Sequence, residues 1–306
     1  MRDLPVDTSS RAASTTVHLP PSTRHGAGRR PEVRQLFARD RRLSDDAPLV
    51  FIDIGAARRL RAECDAGHLV CPVPGCQDPR LIARGGSRRD HFAHRHLVDA
   101  VTHAPERWYH LCAKHLIGDW VRRHYPQARV QVDHEAVDNR QVPDVLVVFR
   151  DGRRFAFEVQ YAPLTIDAWQ ARHAGYRAHG IADSWLFGHI PPHLRAARGR
   201  PGEPPRFVFS HLLEAVDLAG GIARWIDPDE RTIRTPLHAV GWRRVRSPSG
   251  AWLLVEAPPE PLEVCWLDKA GLRAPADTAQ AAVRAEHLAE LAREVTHRAV
   301  RSQQLD

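Results

Sequence analysis

The chain has 306 residues, is 43% hydrophobic, carries a formal net charge of +7 and has a sequence pI near 9.6. No stretch approaches the roughly 18 apolar residues of a membrane helix, and the N-terminal segment has no apolar signal-like run, so a cytoplasmic protein with no membrane partner is expected. Excess positive charge favours an anionic partner, nucleic acid above all, and an odd count of five cysteines argues against a disulfide framework.

Taken in chain order, residues 1–45 are rich in Ser, Thr, Pro, Arg and Gly without any period, and read as a disordered basic tail. Residues 46–100 form a short unit bearing cysteines and histidines. "PLVFID" suits a strand and "AARRLRAECDAG" a helical turn or two. Cys71-x4-Cys76 is followed by His91-x2-His94, and two thiolates with two imidazoles at such intervals can close a tetrahedral Zn²⁺ site. Cys64 and His96 are the substitutes should one ligand differ. The role would be structural, because so small a region with little apolar content needs a staple.

Residues 101–195 carry the strongest patterning. Trp108, Leu111, Cys112, Leu116 and Trp120 recur at helical spacing behind Pro105, a residue suited to a first turn. "ARVQVDHEA" alternates like a strand. "VPDVLVVFRDGRRFAFEVQ" (142–160) reads as a hairpin, and "LTIDAWQARHAGYRAHG" as a helix capped by Thr165 and stopped at Gly180. "SWLFGH" adds a last strand, so the order is α-β-β-β-α-β. A strand, helix and strand in succession imply a parallel pair.

The hairpin's register decides where its two acids lie. A two-residue turn at Asp151-Gly152 scrambles the faces. A three-residue loop, with Gly152 left-handed as a bulge, pairs Phe149 with Arg153 and sets Asp144 opposite Glu158. One face then carries Val145, Val147, Phe149, Phe155, Phe157 and Val159. The other carries Asp144, Leu146, Val148, Ala156, Glu158 and Gln160. Because a one-residue slip would flip a strand, this sorting selects the bulged register. Two adjacent acids on a partly apolar face repel, and a divalent cation such as Mg²⁺ or Mn²⁺ relieves that cost.

Residues 196–306 follow a Pro/Gly/Arg-rich loop and read as a mixed α+β region of unknown role. It holds a helix in "SHLLEAVDLAGG", strands in "WLLVEA" and "LEVCWL", and a last helix over about 277–302.

Pro143-Asp144, then Glu158-x-Gln160, set in an αβββαβ string, resembles the PD-(D/E)XK nuclease superfamily. More specifically the chain is similar to competence protein CoiA-like nucleases, through "CPVPGC…HFAH", "ERWYHLCAK", "NRQVPDV", "FEVQYAPLT" and "RHAGY" in that order. The resemblance covers roughly residues 65–190. It implies a restriction-endonuclease-like core behind a zinc-finger-like module, and Mg²⁺-dependent hydrolysis of DNA in transformation, DNA processing or defence. It implies that Asp144 and Glu158 hold the metal, with the Val159 carbonyl as a further ligand. Gln160 replaces the usual lysine, and Lys114 can supply the missing charge. Glu106 is the candidate acid on the first helix, with Glu135 a weaker one. Arg172 and Arg140 are candidate DNA contacts. The neutral Gln160 keeps a second reading open, a catalytically inactive DNA-binding protein that retains the fold.

Overall fold

The computed structural model describes residues 34–296 apart from 46, 87–88, 97–102, 134–140, 198–201, 203–204, 238–244, 248–249, 284, 287, 290–291 and 294–295. Arg140 and Glu135 therefore lie outside the described residues, as do residues 1–33 of the expected tail. Within that expected tail, however, strand β1 (Phe37–Asp40) is ordered into a sheet. Leu36, Phe37 and Ala38 are buried there, so their apolar surface outweighs the polar composition around them.

β1 pairs with β2 (Val50–Phe51), and beyond helix α1 (Ala57–Asp65) it also pairs with β3 (Leu69–Val70). A second hairpin follows, β4 (Leu81–Arg84) with β5 (His91–His94). Helix α1 turns Ala57, Leu60 and Cys64 inward, the one-sided spacing of an amphipathic helix.

The next elements are α2 (Pro105–His124), β6 (Arg129–Val132), β7 (Val145–Val148), β8 (Arg154–Gln160), α3 (Ile166–Ala178) and β9 (Ile181–Gly188). Pro105 opens α2, and Arg122, Arg123 and His124 occupy its last turn, where cations suit the helix dipole. Thr165 caps α3, its Oγ1 accepting from the Ala168 N–H at 3.2 Å, and Gly180 ends the helix region at φ +65°.

The hairpin adopts the three-residue register. Val145 pairs with Phe157 and Val147 with Phe155, while the Phe149 N–H donates to the Arg153 carbonyl at 2.9 Å. Gly152 closes the loop at φ +84°, a conformation that L side chains avoid. The two faces are covered by different helices. Trp120 of α2 meets Phe157 edge-on at 6.4 Å, while Tyr176 of α3 is buried with Ala156 and Ile181.

β8 and β9 run parallel, and the sheet continues past residue 195. After β10 (Arg206–Phe209) and α4 (His211–Leu218), strand β11 (Arg224–Asp227) adds parallel to β9 and β12 (Thr232–Arg234) antiparallel to β11. β13 (Val245–Ser247) and β14 (Gly250–Glu256) join β10 in a separate sheet. β15 (Pro259–Pro261) completes the main sheet, whose seven strands run β15-β12-β11-β9-β8-β7-β6. The expected C-terminal region thus shares the sheet of residues 101–195 and packs Phe209, Leu213 and Trp225 with Trp169 and Trp185. The expected strand "LEVCWL" is a 3₁₀ turn over Leu262–Val264 followed by β16 (Trp266–Asp268). β16 pairs with β17 (Gly271–Arg273), and α5 (Pro275–Ala279) follows.

Candidate active site and metal centre

Asp144 stands one residue before β7, opposite Glu158 in the register of the hairpin. Pro143, across from Val159, has no N–H and β7 has not yet begun, so the ladder is open there. The Asp144 carboxylate fills the gap, with Oδ2 accepting from the Val159 N–H at 2.8 Å. Its other oxygen faces α2. Oδ1 lies 3.1 Å from His110 Nε2 and 3.8 Å from Lys114 Nζ. Burial works against ionisation of Asp144. The His110 hydrogen bond, the His110 and Lys114 charges and the Val159 N–H outweigh it and hold the carboxyl below its ordinary range.

Glu158 is only 1% exposed and is held from the other side of the sheet. The Arg172 guanidinium donates to Oε2 and the Tyr176 hydroxyl to Oε1, both from α3. Burial and then the nearby Asp144 charge push the Glu158 carboxyl up to about 8, against the opposing pull of Arg172 and Tyr176. The pair is therefore electrostatically unequal. Asp144 favours the carboxylate and Glu158 the neutral acid, the condition that a cation between them would reverse.

The remaining candidates fall at different distances from the acids. Lys114 is buried beside Asp144 and also meets Asp133 Oδ2 at 2.6 Å. Gln160 follows Glu158 at the end of β8, and its Nε2 donates to the Ala162 carbonyl at 2.6 Å. Arg172 is engaged with Glu158 and lies over the Trp185 ring at 5.2 Å. Glu106 is exposed in the first turn of α2 and touches neither acid among the described residues. One helical turn further on, His110 takes the place beside Asp144. His110 belongs to the same polar stripe as Glu106 and Lys114, so the signal for it was the helical spacing. Asp133 carried no such signal. It follows β6 at φ +58° and donates its N–H to the Asp144 carbonyl at 3.2 Å.

Both acids, their helices and the strands between them lie within one stretch that matches a known family model, described as Competence protein CoiA, nuclease-like domain. The match spans residues 106–196. The chain matches no curated protein and no solved structure. No helix among the described residues is long and apolar enough to cross a membrane.

The second centre precedes the matched stretch. Cys71, Cys76, His94 and His103 bring one ligand atom each to within 4.8 Å of one another and could hold a metal ion. Cys71 Sγ lies 3.4 Å from His103 Nε2, and Cys76 Sγ lies 3.5 Å from His94 Nε2. The expected fourth ligand, His91, is not among them. Residues 91–94 form strand β5, and side chains three apart on a strand point to opposite faces. His91 Nδ1 instead lies 3.0 Å from the Arg89 carbonyl. Its place is taken by His103, two residues before α2. The possible substitutes are elsewhere. Cys64 is buried in α1, where burial pushes its thiol up to about 11, and His96 is exposed beside Asp78.

Proposed function

We propose that the CoiA nuclease-like domain is a metal-dependent deoxyribonuclease with a PD-(D/E)XK-type, restriction-endonuclease-like core. The observation that carries this reading is the opposition of Asp144 and Glu158 across β7 and β8, with Lys114 and His110 packed against Asp144. The donor set suits Mg²⁺ or Mn²⁺, since it offers hard carboxylate oxygens from two acids whose mutual repulsion a cation would relieve. A bound divalent cation would supply Lewis acidity and an activated water.

The chain's own residues do the rest. Asp144 and Glu158 would hold the cation, with the Val159 carbonyl as a further donor. Lys114 contributes the positive charge that Gln160 does not, and opposes the negative charge developing on the phosphoryl oxygens. Gln160, with Nε2 committed to Ala162, keeps its Oε1 as an acceptor to orient a water. Release from Glu158 on cation binding would let Arg172 pair with a phosphate of the DNA backbone. His110 holds the Asp144 carboxylate toward α2 through its Nε2 contact at 3.1 Å.

In the Cys/His centre the proposed ion is structural Zn²⁺. The two S···N separations match the roughly 3.5 Å edges of a tetrahedral site built from Zn–S and Zn–N bonds of about 2.3 and 2.05 Å. The ion would tie β5 and the segment after Cys71 to the start of α2, the helix that presents His110 and Lys114.

One observation favours a second reading, a DNA-binding protein without turnover. Gln160 stands where a lysine is usual, and Arg172 already occupies Glu158. Incubation of the purified chain with plasmid and single-stranded DNA under Mg²⁺ or Mn²⁺ separates the two. Cleavage abolished by Asp144→Ala and by Glu158→Ala is the expected result. Equal cleavage in both variants would overturn the site, and binding without cleavage would favour the second reading.

A further inference from the structure

We propose that Arg58, Arg59, Arg61 and Arg84 form a phosphate-contacting ridge on the Cys/His module, separate from the acid site, that holds the backbone of duplex DNA. All four side chains are exposed. The first turn of α1 contains no acid, and Arg58 and Arg59 stand in it. Cations at a helix N-terminus oppose the helix dipole, so helix stability does not account for them.

The neighbourhood also fails to neutralise them. Each nearby acid has another partner. Glu63 pairs with Arg42 at 3.0 Å and with His68, Asp65 pairs with Arg95 at 2.8 Å, and Asp53 pairs with Arg231. Asp90 is buried and spends its carboxylate on the α1 N-terminus, with Oδ2 accepting from the Ala57 N–H at 2.7 Å. Among the described residues, no acid pairs with any of the four arginines.

Asp90 and Gly85 bring the fourth arginine to the start of α1. A Cβ on Gly85 would lie 2.5 Å from Asp90 Oδ1 and 2.9 Å from the Ala57 Cβ, so the end of β4 passes close against the start of α1. Arg84 precedes that glycine and Arg58 follows that alanine. The ridge thus sits where an uncapped helix N-terminus has been closed by a built-in carboxylate, leaving the surface cationic. Arginine forks suit phosphate oxygens, and contacts to phosphate read no sequence, which fits a surface that positions DNA. The choice of DNA as the anion rests on the nuclease reading; the unneutralised ridge does not.

The test is binding of the full chain to a 30-base-pair duplex of mixed sequence, without added Mg²⁺, across a series of salt concentrations. Changing all four arginines to alanine should weaken binding at least about tenfold and reduce the slope of log Kd against log salt by about three to four, while four lysines should keep most of the slope. In the native chain, DNA should shield the four arginines from phenylglyoxal, read by mass spectrometry. That measurement stands even if the alanine variant misfolds. An unchanged slope in a folded alanine variant, or modification unaffected by DNA, overturns the ridge. A native chain that cleaves DNA with an unchanged variant slope overturns the ridge alone. One that binds through the ridge without cleaving overturns the nuclease reading alone.

Discussion

His110 Nε2 lies 3.1 Å from Asp144 Oδ1, so the α2 residue that meets the site acid is a histidine one turn beyond the exposed Glu106. This contact and the Lys114 charge keep Asp144 ionised in a buried place. His110→Ala removes a hydrogen bond to a charged group, commonly about 1.5–3 kcal/mol, and should lower cleavage by at least about tenfold. Glu106 meets neither acid among the described residues, so Glu106→Gln should change cleavage less than about twofold. Initial rates on supercoiled plasmid check both. Equal losses would return Glu106 to the site.

The Cys/His centre makes a sharper claim about ligands. His103, not His91, lies with Cys71, Cys76 and His94. Native protein should therefore carry one zinc per chain, His103→Ala and Cys71→Ser should lose it, and His91→Ala should retain it. Elemental analysis of purified variants reads this directly. Because His103 leads into α2, zinc loss should also loosen that helix, seen as faster amide exchange over residues 105–114. Retained zinc in His103→Ala would remove the assignment.

The contrast between these two sites shows what the residue pattern could and could not disclose. The hairpin register was legible because every large aromatic of "VLVVFRDGRRFAFEV" sorts to one face under a single alternation. The caps of α3 were legible because Thr165 and Gly180 are local signals. His103 was not, because nothing near it in sequence pairs it with Cys71; the contact is made by folding 32 positions back. His91 misled because "HFAH" was read by ligand spacing, and strand parity applies only once β4 is seen to pair with β5. Likewise β11 and β15 are short and join the main sheet through long-range pairing, which local periodicity does not encode. The partners of Glu158 lay in the "RHAGY" stretch, yet their contact with the acid rather than with a phosphate follows from α3 covering that face of the sheet.

Gly152 tests the register by itself. It sits at φ +84°, and a Cβ there would meet nothing within 4 Å, so Gly152→Ala should cost only the left-handed backbone, about 1–2 kcal/mol. Gly152→Asn should cost less, since Asn tolerates that region. Urea denaturation of the three proteins gives the order. An alanine variant as stable as the native chain would mean that the loop does not use a left-handed glycine.

Asp229 gives the pH dependence. It follows β11, and the Tyr109 hydroxyl donates to its Oδ2 at 3.4 Å. Burial, then the charges of Asp227 and Glu230, raise its carboxyl from an ordinary 3.8 to about 7, while Arg89 and the Tyr109 hydrogen bond pull the other way. Its Oδ1 is buried without a hydrogen-bond partner among the described residues. Between those two pKa values the folded chain keeps a proton that the unfolded chain has released. The stabilising contribution is therefore complete below pH 3.8 and is lost as pH rises through about 7. Asp229→Asn holds the site neutral at every pH. Relative to the native chain it should gain stability from pH 5 to pH 8, by at most about 3 kcal/mol. Paired urea denaturation curves at those two pH values check it. If native and variant curves shift in parallel, Asp229 is ionised in the folded protein throughout, and Arg89 has outweighed burial.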